Sequence, residues 1–339
     1  LIDIAPRSVL RRVLSFYEKQ GWKPVVAPEL EFYLVTRNED PDYPLVPPVG
    51  RNGRPETARQ SFSIDAVNEF DPIFEDMYDY CEAQELEVDT LIHESGAAQM
   101  EINFLHGDAI DLADQVFLFK RTMREAAHRH GIYATFMAKP MSNEPGSAMH
   151  IHQSLEDMDG NNLFGTSEGG NSDLFMHFIA GLQKYTPAVT ALLAPNVNSY
   201  RRLTFGESAP RNVQWGVENR TCGLRVPFSE PSARRVENRF AGADANPYLA
   251  LAATLACGYL GMLEKLEPMQ EMKASAYDLP YSLPRSLEES LSHLEQCEPI
   301  KDMLGERFIR AFVAVKRKEY ETYFGVISRW EREFLLLNV

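Results

Sequence analysis

The stretch His150-Ile151-His152-Gln153-Ser154 decides how this chain is read, because its two histidines stand two residues apart with a bulky apolar residue between them. The same device recurs in Glu29-Leu30-Glu31, in Gln99-Met100-Glu101-Ile102-Asn103 and in Arg235-Val236-Glu237-Asn238-Arg239. Successive side chains of a β-strand point to opposite faces, so each segment puts its metal- or phosphate-competent groups on one face and their neighbours on the other. Together the four segments predict one sheet with a charged, ligand-binding face.

A chain of 339 residues, 44% hydrophobic and 24% charged, buries a substantial core as one large domain or two smaller ones. Its net charge of −15 argues against a nucleic-acid partner, whose affinity rests largely on basic contacts to phosphate. The surplus acids need cations, and metals are the obvious ones. Cys81, Cys222, Cys257 and Cys297 are scattered, with no zinc-type spacing and no dense disulfide framework, which fits a reducing cytoplasm. The most apolar stretch, residues 247–263, ends at Glu264-Lys265, short of the roughly 20 apolar residues a membrane span needs. It predicts a buried helix with Asn246 as its cap and Pro247 at its first position, and no membrane partner. Leu1-Ile2-Asp3 carries no signal-peptide pattern.

Helical apolar spacing predicts helices over residues 7–20, 71–84, 109–130, 173–185 and 247–263, and a long helix or helix pair over 306–330. Strands are expected over 29–35, 99–105, 134–138, 149–155, 221–226 and 235–240. Residues 40–55 and 157–171, rich in turn formers, are expected as surface excursions. There is no regular βαβ alternation. The expected fold is α+β: a curved, largely antiparallel sheet that carries the site and is backed by helices.

Carboxylates are the strongest chemical signal. Glu29 and Glu31 share a strand face, and the turn-prone Ser95-Gly96-Ala97-Ala98 between Glu94 and Glu101 brings both toward one site. Oxygen-rich, cysteine-free ligand sets suit hard divalent ions such as Mg²⁺ or Mn²⁺. A single glutamate is ordinarily a solvated strand face; four beside His150 and His152 point to a shared metal site. The His-x-His pair is weak alone, since it also opens zinc hydrolase sites and a buried histidine is commonly a hydrogen-bonded core residue. Arg202, Arg220, Arg225, Arg235 and Arg239 crowd a short interval, as planar recognition of carboxylate or phosphate requires. The bland alternative is surface ion pairing, worth roughly 0 to 1 kcal/mol per pair. Metals beside an arginine cluster equip phosphoryl transfer, where catalysis is mainly positioning and charge neutralisation.

At this point a family resemblance emerges. Ala27-Pro28-Glu29-Leu30-Glu31-Phe32, His93-Glu94 through Gln99-Met100-Glu101, and Gly146-Ser147-Ala148-Met149-His150-Ile151-His152-Gln153-Ser154 resemble successive blocks of glutamine synthetase. So do Asn198-Ser199-Tyr200-Arg201-Arg202-Leu203, Asn219-Arg220-Thr221, and Arg234-Arg235-Val236-Glu237-Asn238-Arg239-Phe240 through Ala245-Asn246-Pro247-Tyr248. They occur in family order over nearly the whole chain, so residues 1–339 resemble the catalytic domain. The resemblance implies a ligase that phosphorylates the γ-carboxylate of glutamate with ATP and lets an amine displace the phosphate, using two divalent ions. Glu31, Glu94 and Glu101 match the ligands of one ion, and Glu29, His150 and Glu237 those of the other. Arg239 and Arg220 match groups that stabilise the transferring phosphoryl, Arg202 the arginine that holds the glutamate carboxylate, and Gly146 a backbone contact to substrate. His152, Ser154, Arg225 and Arg235 match the nucleotide side. The family also implies a cytoplasmic homo-oligomer, typically a dodecamer of two stacked hexameric rings with sites between subunits.

Three departures matter. The family's catalytic domain follows a small β-grasp domain whose aspartate completes the neighbour's amine site, and nothing in this sequence corresponds to it. The family's Asn-Gly-Ser-Gly turn reads Pro145-Gly146-Ser147-Ala148. The flap that ends Glu-Ala-Pro in true glutamine synthetases, where that Glu binds and deprotonates ammonium, reads Gly206-Glu207-Ser208-Ala209-Pro210. Its acid position is Ser208, with Glu207 one place early. Losing the carboxylate removes the counter-charge for ammonium and leaves space, as in relatives that γ-glutamylate polyamines and other alkylamines; ammonia, with Glu207 shifted into register, is the runner-up. Tyr277 matches a tyrosine that some bacterial members have adenylylated, within a Tyr-Asp-Leu-Pro turn that resembles unregulated relatives. Two readings from other classes are a zinc amidohydrolase and an inert structural or sensing homologue.

Overall fold

The structure, a computed structural model, describes residues 2–205 and 208–339. Its first half runs α1 (Pro6–Glu18), β1 (Lys23–Thr36), α2 (Ile64–Asn68), α3 (Asp71–Ala83), β2 (Val88–His93), β3 (Gln99–Phe104), β4 (Gly107–Asp108), α4 (Ala109–Arg129), β5 (Ile132–Thr135) and β6 (Met149–Glu156). There follow α5 (Asp173–Leu193), α6 (Val197–Phe205), β7 (Trp215–Val217), β8 (Leu224–Val226), β9 (Val236–Asn238) and α7 (Pro247–Glu264). The chain closes with α8 (Leu287–Gln296), α9 (Glu298–Leu304), α10 (Glu306–Phe324) and α11 (Arg329–Leu335).

The strands form one sheet in the order β2-β3-β1-β6-β9-β8-β7, with β4 and β5 also paired to the long β1. Every pairing is antiparallel except β7 with β8, so the largely antiparallel α+β expectation holds. The register lines up the sequence segments that announced it. Glu31 stands opposite Glu101 and Glu29 opposite Asn103 on β3; Glu29 also faces His150 on β6; His152 faces Glu237 on β9; and Arg225 on β8 faces Glu237 from the other side. Period-two alternation then sends Leu30, Phe32, Met100, Ile102, Ile151 and Val236 to the other face, where all are buried.

That back face is covered by helices, α4 against β1 and α7 against α1, α4 and α5. Residues Leu249 to Met262 of α7 are all buried, which is why it carries no polar stripe. At the α5–α7 crossing a Cβ on Gly181 would stand 2.7 Å from the Cα of Gly261, so the backbones meet directly. Asn238 and Gln153 also point to the back: Asn238 donates to Thr254 on α7 at 2.8 Å, and Thr254 donates to Gln153 at 3.0 Å. Asn246 caps α7 by accepting from the Leu249 N–H, with Pro247 in the first turn, as expected.

Some boundaries differ for physical reasons. α5 continues from Tyr185 through Pro187 to Leu193, because burial of Val189, Leu192 and Leu193 outweighs one missing backbone donor. β5 stops at Thr135 rather than reaching residue 138, and β8 and β9 are three residues each. The terminal segment is a helix pair, α10 and α11. Among the described residues no helix is long and apolar enough to cross a membrane.

Candidate active site

The charged face opens into a cavity of about 480 Å³. Glu29, Glu31, Glu94, Glu101, His150 and Glu237 line it together with Arg202, Arg220, Arg225 and Arg239, and Gly146 and Ser208 reach it as well. A second cavity, of about 430 Å³, is lined by His152, Ser154 and Arg235. Glu29 and Asn103 belong to both and form the wall between them. Every expected site residue that the structure describes therefore meets one of two adjoining cavities; Glu207 lies outside the described residues. Asp89 and His106 of the second cavity were not singled out from the sequence, and Asn103 entered only as the end of the alternating segment 99–103, with no role given to it. Asn103 had a signal, two residues beyond Glu101 on the same strand face. Asp89 and His106 had none.

The carboxylates fall into two electrostatic groups. Glu29 lies 2.7 Å from His152 Nε2 and 3.4 Å from His150 Nδ1. Burial pushes its pKa up, but these two partners outweigh burial and hold it far below the usual carboxylate range. Glu237 is likewise raised by burial, yet Arg239, His150 and His152 bring it down to about 2; Arg225 donates to one of its oxygens at 2.7 Å and Arg239 to the other. Among the described residues no cation is paired with Glu101. Burial, then Glu29, Glu31 and Glu94, push it up to about 9. Burial and Glu94 raise Glu31 to about 7, although it accepts from Gln99 Nε2 at 3.1 Å and the Ala148 N–H at 2.9 Å. Glu94 is raised too, chiefly by burial. Burial, helped by Arg239, lowers His150 to about 4, leaving a neutral imidazole fit to ligate.

These residues fit divalent ions. Ligand atoms of Glu29, Glu101 and His150 lie within 4.8 Å of one another, as do those of Glu29, His152 and Glu237. A crowded, oxygen-rich set with one or two imidazoles suits Mg²⁺ or Mn²⁺. The grouping differs from the split drawn by family resemblance: Glu101 stands with Glu29 and His150, and His152 joins Glu29 and Glu237. Arg235 Nε donates to His152 Nδ1 at 3.3 Å, which leaves Nε2 turned toward Glu29.

The arginines are set for an anion. Arg202 is buried and donates to the carbonyls of Phe240 and Arg239 at 2.9 and 3.0 Å, and burial lowers its pKa to about 10. Gly146 packs on its stem: a Cβ there would stand 2.7 Å from Arg202 Cγ and 2.6 Å from the Ala138 carbonyl. Arg225 spans Glu237 and Glu218. The Nε atoms of Arg225 and Arg239 and the Oδ1 of Asn103 are buried with no hydrogen-bond partner among the described residues. Buried polar groups are rarely left so, and phosphoryl oxygens or coordinated water would satisfy them. Arg220 is exposed at the cavity wall. Tyr277 lines the same cavity, with the Arg211 guanidinium 5.2 Å from its ring centroid.

Residues 3–335 match the glutamine synthetase catalytic domain. The γ-glutamylputrescine synthetase of Escherichia coli (strain K12) is 37% identical over 342 aligned residues, covering 99% of this chain and 72% of that enzyme. A glutamine synthetase of Pyrococcus horikoshii is 38% identical, covering 95% of this chain and 72% of its own length. A glutamate–isopropylamine ligase of Pseudomonas sp is 32% identical, with 97% and 73% covered. Among solved structures, a GmaS/ADP complex aligns with a TM-score of 0.85 at 30% identity, covering 98% of this chain and 77% of that one.

Proposed function

The chain belongs to the glutamine synthetase family through its catalytic domain and is a glutamate–amine ligase, and from that premise we propose that it uses ATP to join glutamate to an alkylamine rather than to ammonia. The observation that carries the ligase chemistry is the larger cavity itself, where six metal-competent side chains meet Arg225 and Arg239, whose buried Nε atoms have no hydrogen-bond partner among the described residues.

In the proposed reaction a γ-carboxylate oxygen of glutamate attacks the γ-phosphorus of ATP, and the bond to the departing ADP oxygen breaks. The amine nitrogen then attacks the acyl carbon and loses a proton, and phosphate leaves with the C–O electron pair. Two divalent ions, Mg²⁺ or Mn²⁺, held by Glu29, Glu31, Glu94, Glu101, His150 and Glu237, would supply charge neutralisation at the phosphates. Arg239 and Arg220 stabilise the transferring phosphoryl group. Arg202, stiffened by two backbone carbonyls, holds the glutamate carboxylate beside the Gly146 backbone. His152, Ser154 and Arg235, which line the second cavity, hold the nucleotide with Arg225; that a structural relative was solved as an ADP complex supports the use of a nucleotide.

The choice of amine rests on Ser208, which lines the larger cavity where a carboxylate would pair with ammonium. The names of two relatives, a γ-glutamylputrescine synthetase and a glutamate–isopropylamine ligase, support an alkylamine. Similar identity to a Pyrococcus glutamine synthetase keeps ammonia as the second reading. Phosphate release with ATP, glutamate and a panel of amines tests the choice: alkylamines should win on kcat/KM, and preference for ammonia over every amine would make the chain an ordinary glutamine synthetase. Sites shared between subunits of a homo-oligomeric ring, most simply a dodecamer, belong to the same proposal and are tested by light scattering. Neither a zinc amidohydrolase nor an inert homologue fits the family match and a donor set with all six positions filled.

A further inference from the structure

We propose that Phe62 is the wall of the amine subsite and selects alkylamines over ammonium, an inference that rests on the alkylamine reading above. Phe62 lines the larger cavity together with Ile92, Glu94 and Ser95. Its side chain is apolar yet 62% exposed, at a site otherwise dominated by charge. Its backbone lies at φ 63°, a left-handed conformation that a bulky residue keeps only where its surroundings enforce it.

The surroundings are a built clip. The Phe62 N–H donates to the His93 carbonyl at 2.8 Å, and the hydroxyls of Ser61 and Ser95 lie 3.1 Å apart. His93 is fully buried, with Nδ1 2.7 Å from the Glu94 carbonyl and Nε2 3.0 Å from Glu56 Oε2. Glu56 Oε2 also accepts from the Ala98 N–H at 2.9 Å. Glu56, Ser61 and Phe62 are thereby strapped to residues on both sides of Glu94, and the Phe62 backbone is held beside that carboxylate.

An aromatic ring so placed does two things for a protonated alkylamine. Its face attracts the cation, and its carbon surface covers the alkyl part. Ammonium can use only the first, and it sheds tightly held water to do so. The ring thus replaces, by dispersion and quadrupole, the selectivity that a flap carboxylate would supply by charge. It also agrees with Ser208 on the same cavity, which offers ammonium no counter-ion.

The test compares wild type with Phe62→Ala, Phe62→Leu and Phe62→Tyr, in the full chain, using ammonia, methylamine, isopropylamine and putrescine. Phe62→Ala should lower the alkylamine-to-ammonia ratio of kcat/KM about tenfold, mainly through KM for the amine. Phe62→Tyr should keep the ratio and Phe62→Leu should fall between, with KM for ATP and glutamate unmoved throughout. Equal losses with all amines, or a shift in KM for ATP, would make Phe62 a structural residue and overturn the inference. If wild type prefers alkylamines but Phe62→Ala keeps the ratio, only this inference fails. If wild type prefers ammonia, the alkylamine reading falls and this inference falls with it.

Discussion

Glu237 and Glu101 stand on neighbouring parts of one sheet face, are of one residue type and are both buried, yet they sit at opposite electrostatic extremes. Glu237 is clasped by Arg225 and Arg239 and held down to about 2, whereas Glu101 looks onto other carboxylates and is pushed up to about 9. Burial raises both; partners decide the sign. One half of the site is thus already neutralised by the chain, and the other half is left for a cation to neutralise.

The strongest way to break this contrast is to remove each carboxylate in turn. Glu101→Ala and Glu237→Ala should both abolish turnover in a chain that remains folded by circular dichroism, since each loses an anionic ligand. Near-normal activity at saturating Mg²⁺ would rule out the assigned roles. Their metal-free stabilities should move in opposite directions. Glu237→Gln strands the buried Arg239 charge and leaves Arg225 with Glu218 alone, and should destabilise by about 3 to 5 kcal/mol, while Glu101→Gln relieves repulsion and should raise Tm.

Next in size is Arg239→Lys, which keeps charge but loses the planar fork. It should lower kcat tenfold or more, an effect of about 1.4 kcal/mol or larger. If only KM for ATP rises, Arg239 binds the ground state instead.

pH sharpens the same contrast. Glu101 and Glu31 are raised, so the folded metal-free chain holds protons that the unfolded chain releases above about pH 4.3. Their contribution therefore destabilises progressively as pH rises through about 7 and toward about 9. The Tm advantage of metal-free Glu101→Gln over wild type should grow over that window, and Mn²⁺ affinity of wild type, read by calorimetry, should rise as the protons leave. Glu237 behaves oppositely: its stabilisation is complete above about pH 4.3 and fades as pH falls toward about 2. A Tm difference for Glu101→Gln that does not change between pH 6 and 9 would refute the assignment.

The smallest expected change is in amine choice. Combining Glu207→Ser with Ser208→Glu should raise ammonia-dependent kcat/KM a few-fold and reduce that with alkylamines, because the restored carboxylate pairs with ammonium and fills space. No gain with ammonia would show that position 208 does not set the amine.

Much of this was legible in the chain. Alternation is a local property, so Glu29-Leu30-Glu31 and His150-Ile151-His152 declared both strand and face before any partner was known, and the apolar run after Asn246 declared its buried helix. β2 was not legible, because Asp89 and Thr90 are exposed and break the apolar pattern. Nor was α6, whose nine residues include Asn198, Ser199, Arg201 and Arg202. Glu56 and Phe62 lie just beyond the excursion expected over residues 40–55, and nothing nearby in sequence announces that His93 fastens them to Glu94.

The sequence by itself determined which side chains share a face and which chemistry they offer, since strand geometry makes that a matter of counting by two. Only the tertiary structure decided which carboxylates would meet arginine and which would meet one another. That distinction lies in pairings between residues as far apart as Glu29 and His152, and Coulomb interactions depend on separation in space, which a chain position does not reveal.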